Sequence, residues 1–222
     1  MPSHASHAPR GNRRKTLAVL VALGGIVLTA GGVYAGLNAV ATNTTPQTVT
    51  SGTLKLTMAN NGAGFSQNIS DMAPSDVVNR FVDLTNGGTL DAQNLTLTVA
   101  DGTPTKLTTD ATNGLHVSVL ACTTAAWVVN SVTNTATCAD VGGATTIVNN
   151  AALATISATP ASLVAGAVAK NSVYHYEISL TLPNQSETTT NGTLPVGTIQ
   201  GLSASLTWTF NEAQRAGTTT NS

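Results

Sequence analysis

Few side chains in this sequence are suited to chemistry, and their spacing matches no common catalytic pattern. Histidine occurs at His4, His7, His116 and His175, and cysteine only at Cys122 and Cys138. A zinc-protease helix needs two histidines four apart with a glutamate between them, so that both rings reach one ion from one face. No such run occurs. His175 and Glu177 lie two apart, as neighbours on one strand face do, and read as a solvated polar face rather than a ligand pair. Gly-x-Ser-x-Gly, the serine nucleophile elbow, is missing. The pairs Gly87-Gly88 and Gly142-Gly143 lack the loop spacing and the lysine that cradle phosphate, and read as turns. Leu194-Pro195-Val196-Gly197-Thr198 has the wrong order for a sortase signal, and no apolar tail follows it. Asn-x-Ser/Thr triplets at Asn43, Asn68, Asn94, Asn184 and Asn191 follow from the composition alone. No catalytic, cofactor-binding or metal-ligating residue is assigned, no cofactor is expected, and the chain is not expected to be an enzyme.

The cysteines carry the one covalent expectation. A metal site would need further ligands nearby, and none are present. In an oxidising compartment Cys122 and Cys138 are most simply a disulfide. A loop of that size stabilises a fold by about 3 kcal/mol in the chain-entropy model.

The N-terminus points to such a compartment. Arg10, Arg13, Arg14 and Lys15 form a positive cluster, and Leu17 to Ala35 then runs without a charge. A positive region, an apolar stretch and a small-residue exit describe a secretory signal, here residues 1–35. Val33-Tyr34-Ala35 places cleavage between Ala35 and Gly36, with Ala39-Val40-Ala41 as the second choice. The alternative is an uncleaved anchor, since nineteen helical residues span about 28 Å. Gly24, Gly25, Gly31, Gly32 and Gly36 weaken such a helix. N-terminal sequencing of the secreted product should begin at Gly36; a product retaining Arg13 to Lys15 would contradict cleavage.

Composition agrees with life outside the cell. Of 222 residues only 9% are charged and 4% aromatic, yet 41% are hydrophobic; ordinary globular chains carry roughly 25% charged residues. Val, Leu, Ile and Ala supply the core, and Thr, Ser and Asn keep the surface wet. Beyond position 35 there remain five basic and ten acidic residues, a net of −5. No basic stripe is left for nucleic acid. Membrane contact is expected only through the signal segment.

Period-two alternation recurs along the chain, the mark of half-buried strands. Leu54, Leu56 and Met58 share one face. Leu95, Leu97 and Val99 share another, as do Leu115, Val117 and Val119. The longest run is Tyr174, Tyr176, Ile178, Leu180 and Leu182, opposed by Val173, His175, Glu177, Ser179 and Thr181. Leu202, Ala204, Leu206, Trp208 and Phe210 close the set, and Phe81 to Leu84 is a less regular strand. Turn signals separate them, among them Asn61-Gly62, Pro74-Ser75-Asp76, Asn86-Gly87-Gly88 and Asn191-Gly192. The segment from Asn150 to Ile156 reads as a short helix or a plain connection. The fold class is therefore all-β, a β-sandwich over 51–215 preceded by the signal helix and followed by a flexible tail, 216–222.

The same residues resemble the TasA/camelysin family, which is exported with the SipW-type signal peptidase. The likeness runs in order from the Gly32-Val33-Tyr34-Ala35 exit through Ser51 to Leu56 (SGTLKL). It continues through the Met72-Ala73-Pro74-Ser75-Asp76 turn and Phe81 to Leu90 (FVDLTNGGTL). Tyr174 to Pro183 and Leu206 to Gln214 (LTWTFNEAQ) complete it. The family's glycine after the turn proline is Ser75 here, and Ala111 to Ala169 has no clear counterpart. The resemblance implies a jelly-roll-like sandwich, secreted and then assembled head to tail into a homopolymeric surface or biofilm fibre. In that assembly the N-terminal stretch of one subunit completes a sheet of the next. The segment freed by cleavage, 36–50, is uncharged and carries Leu37, Ala39, Val40 and Val49 among β-tolerant threonines. It is the candidate donor strand; a floppy terminus is the alternative. A monomeric adhesin or binding module is the second functional reading. A metal-dependent peptidase is the third and remote one, because camelysin-like relatives have been catalogued as peptidases.

Overall fold

The computed structural model describes residues 48–219 apart from 131 and 134. The signal segment, the Ala35/Gly36 cleavage site and the donor candidates Leu37, Ala39 and Val40 lie outside the described residues. Val49 lies within them, exposed and outside any strand.

Ten strands and two short helices follow in order: β1 (Leu56–Asn60), β2 (Val77–Asn86), β3 (Ala92–Asp101), α1 (Lys106–Thr109), β4 (His116–Cys122), β5 (Val128–Asn130), β6 (Thr135–Thr137), β7 (Thr145–Ala152), α2 (Leu153–Ala158), β8 (Ala161–Val168), β9 (Val173–Thr181) and β10 (Leu206–Gln214). β2 pairs with β9, β3 with β8, β4 with β7, and β5 with β6, all antiparallel. That nesting is one long hairpin wound upon itself, the connectivity of a jelly roll. β4 also pairs with β9, which closes a five-stranded sheet of order β1-β2-β9-β4-β7 over a three-stranded one, β10-β3-β8.

Alternation explains the core. Leu95, Leu97 and Val99 of β3, Val117 and Val119 of β4, and Tyr176, Ile178 and Leu180 of β9 are buried in one cluster with Val82 and Leu84 of β2. Each sheet buries one face against the other because successive side chains point to opposite faces.

Two turns depend on backbone geometry. Ser75 sits at φ 76°, in the left-handed region where a side chain is strained and glycine is not; its N–H donates to Leu182 O at 2.8 Å. At Gly88 a Cβ would stand 2.5 Å from Thr53 O, so no side chain fits where the Asn86 turn meets the chain entering β1.

Three expectations need correction. Leu54, Leu56 and Met58 do not form a buried face: Leu54 precedes the strand, and Leu54 and Met58 are 41% and 49% exposed. β1 is the outermost strand among the described residues, and of these three only Leu56 packs, half-buried, against the core. The last run begins at Leu206 rather than Leu202, following Gly201 at φ 70°, and Leu206, Trp208 and Phe210 are only half-buried. The segment from Asn150 is still strand through Ala152, and the helix follows it.

Candidate functional site

Two features stand outside the regular sandwich. The first is an open flank. β1 adds to β2 in one sheet and β10 adds to β3 in the other, and among the described residues each leaves an unpaired edge. Phe65, just past β1, packs on Trp208 and Phe210 of β10 with ring centroids 5.2 and 6.1 Å apart. The two edges therefore meet on one flank, with Met58, Trp208 and Phe210 incompletely covered. The β10 pairing shifts register between Asn211 and Ala213. Glu212 sits at that shift with both carboxylate oxygens buried and unpartnered, and burial pushes its carboxyl up from the ordinary range. A buried acceptor without a donor is costly. The entering chain itself is well tied: Thr53 N–H donates to Thr89 Oγ1 at 2.8 Å, and Gly87 N–H to Lys55 O at 2.8 Å.

The second feature lies on the outer face of the five-stranded sheet. The β5–β6 tip of the wound hairpin joins neither large sheet and forms its own ribbon. Trp127, at its start, packs on Phe81 of β2 with centroids 5.6 Å apart. Phe81, Cys122 and Trp127 form a small second core with Leu120, Val129 and Cys138 against it. The disulfide Cys122–Cys138 binds the ribbon's return to the end of β4, as expected.

Asp140 completes the fastening. Its carboxylate accepts from the hydroxyls and backbone N–H groups of both Thr123 and Thr124, including Thr123 Oγ1 at 2.7 Å and Thr124 N at 3.0 Å. The Thr124 hydroxyl, followed by the donors of Thr123, holds this carboxyl well below its ordinary value of 3.8. A carboxyl depressed in the fold contributes stability that is present above its unfolded value and lost as pH falls below it. Near-ultraviolet dichroism of the Trp127 region should therefore hold steady from neutrality to about pH 4 and decline below. Asp140→Asn should weaken the neutral-pH signal and flatten this acid transition. An unaltered transition in that variant would place the titration elsewhere.

The ribbon also corrects the reading of His175 and Glu177. Their face is not fully solvated: His175 Nδ1 lies 2.6 Å from Asp83 Oδ1, with the two side chains 15% and 26% exposed. Trp127 Nε1 donates to His175 O at 3.4 Å. Burial raises the Glu177 carboxyl from its ordinary range. The register of β9 holds as expected, since Ile178 on the opposite face is 1% exposed.

Metal ligation was the remaining possibility for these side chains. His116 faces Asn150 O and Ala111 O at 3.1 and 3.2 Å, so both its ring nitrogens are occupied. In the β4–β9 register His116 stands opposite Thr181, and His175 opposite Cys122. Six residues separate the two positions, about 20 Å along a strand. The one three-donor grouping among the described residues is Cys122, Cys138 and Asp140. Its sulfurs are joined in the disulfide and its carboxylate is taken by threonines.

A family model described as camelysin metallo-endopeptidase matches residues 12–219. The chain belongs to the camelysin family. Comparison with curated proteins finds no match. The resemblance read from the signal exit, the SGTLKL strand and the terminal LTWTFNEAQ strand is thus confirmed at family level. Membership carries the coarse reading of a secreted, matrix-associated protein. The "metallo-endopeptidase" of the family's description finds no fitting donor set among the described residues of this chain, for the reasons just given. No helix among the described residues is long and apolar enough to cross a membrane.

Sequence reasoning found the disulfide but missed the ribbon, the Asp140 clamp and the open flank. The clamp had a faint signal in Thr123-Thr124 and Asp140, polar residues close to the two cysteines.

Proposed function

We propose that this member of the camelysin family is a non-catalytic structural subunit of an extracellular fibre. Export by a SipW-type signal peptidase frees the segment 36–50. That segment, with Leu37, Ala39, Val40 and Val49, adds as a strand to the open flank of the next copy. The observation that carries the reading is the flank itself. Among the described residues, two unpaired strand edges, half-covered apolar side chains and a buried carboxylate without a donor all lie where an incoming backbone would supply N–H groups and cover. An unpaired sheet edge is a template for another chain, and strand addition is an established binding mode. A head-to-tail contact between identical copies that does not close on itself yields a filament. The uncharged donor segment and the family membership support the same reading.

Negative-stain microscopy of the secreted protein is expected to find filaments. Monodisperse particles at high concentration would favour an adhesin that works as a monomer. Casein digestion is expected to be absent with or without chelator; chelator-sensitive digestion would overturn the non-catalytic half of the proposal.

A further inference from the structure

Between the inner faces of the two sheets, at the end where β2 begins and β9 finishes, runs a groove of about 1020 Å³. This is the upper end of the range of small-molecule sites, about 300–1,000 Å³. Val78, Ile178, Leu180, Leu182, Leu202 and Trp208 give it apolar walls. Among them stands Arg80, on the inner face of β2 opposite Ile178. It is 8% exposed, in a position that alternation reserves for an apolar residue.

The guanidinium is poorly compensated there. It donates to Asn79 O at 3.0 Å and Gln67 O at 3.3 Å, which uses two of its five N–H groups. Asp71 and Glu187 also line the groove, yet neither forms an ion pair with it. The only ion pair among the described residues is His175–Asp83. Glu187 is already engaged by the Thr198 hydroxyl and by Ile199 N–H at 3.2 Å. A buried charge without a counter-charge is costly, and an arginine fork matches a carboxylate or phosphate.

The geometry points to a binding site for a single-chain anionic amphiphile, with its head on Arg80 and its alkyl chain along the Val78, Ile178, Leu180 and Trp208 walls. This ligand class follows from one desolvated cation set beside the apolar part of a groove whose remaining lining is polar, with Gln67, Asn68, Gln185 and Gln200 among it. Free fatty acids and monoacyl phosphates both have this chemistry. The inference does not rest on fibre assembly, and binding is measurable on monomers.

Titration calorimetry of the secreted protein with dodecanoate, dodecyl phosphate, dodecanol and acetate, all below micelle-forming concentrations, tests it. One equivalent of dodecanoate or dodecyl phosphate should bind, at least about tenfold more tightly than dodecanol, as expected for a charge-assisted hydrogen bond. The better of the two names the source of the head group. Acetate should bind negligibly, because the walls supply the rest of the affinity. Arg80→Met should lower dodecanoate binding to the level of dodecanol. Leu202→Trp, at the 36% exposed rim, should block both and serves as the second variant if Arg80→Met does not fold. Absence of saturable dodecanoate binding, or equal binding of dodecanoate by the wild type and Arg80→Met, would overturn the proposal. So would undiminished binding in Leu202→Trp.

Discussion

Ile178→Ala is expected to destabilise the domain by about 2–5 kcal/mol, the usual loss for a buried large-to-small change. Ile178 is 1% exposed and stands mid-strand in β9, bonded on one side to β2 and on the other to β4. Its side chain belongs to the main core cluster together with residues of β2, β3 and β4. Denaturant unfolding followed by dichroism should shift to a lower midpoint with an unchanged slope. Val173→Ala, on the opposite face and 42% exposed, should stay within about 0.5 kcal/mol. A larger loss at Val173 than at Ile178 would mean that β9 is out of register by one residue.

The second large effect belongs to the disulfide. Replacing Cys122 and Cys138 together by alanine should cost about 3 kcal/mol in the chain-entropy model. The loss should be concentrated in the outer ribbon. Among the described residues that ribbon has no sheet partner beyond its own two three-residue strands, and its apolar anchor is the small cluster of Phe81, Cys122 and Trp127 with half-buried Leu120, Val129 and Cys138 against it. Once the bond is gone, the ribbon is held by the Trp127–Phe81 contact, the Asn61 Nδ2 donation to Trp127 O at 2.8 Å and the Asp140 clamp. Hydrogen exchange should rise in 123–144 far more than in β2, β3 or β9. Unchanged protection in 123–144 would show that the ribbon docks without the covalent tie.

The parts of this fold that were legible in the sequence are those whose two faces differ in chemistry. Leu95, Leu97 and Val99 alternate with polar residues, and so do Tyr174 through Leu182; the apolar residues from Tyr176 on and those of β3 then landed in the core, where alternation sends them. The ribbon was not legible because Thr, Ala and Asn between 123 and 144 carry no period. For the same reason His175 and Glu177 read as solvated: alternation identifies the face turned away from the core, but not what a distant loop lays across it. Arg80 was hidden within the apolar run of β2, where charge and inward position conflict. Such local conflicts are where binding sites tend to be found. The open flank escaped notice because Leu54 and Met58 fit a core pattern perfectly well. Only the strand order shows that no strand among the described residues lies beyond β1.

Assembly through 36–50 is the central claim, and two purified chains test it, one beginning at Gly36 and one at Ser51. The shorter chain keeps the Thr53–Thr89 and Lys55–Gly87 bonds that fasten the entrance to β1, so it should fold and melt as the longer one does. Negative-stain microscopy should find filaments from the chain that begins at Gly36 and single particles from the chain that begins at Ser51. Val40→Pro in the longer chain should give fewer or shorter filaments, because proline cannot donate to a sheet ladder. Normal filaments from the chain that begins at Ser51 would contradict donor-strand assembly and leave the jelly-roll sandwich as it stands.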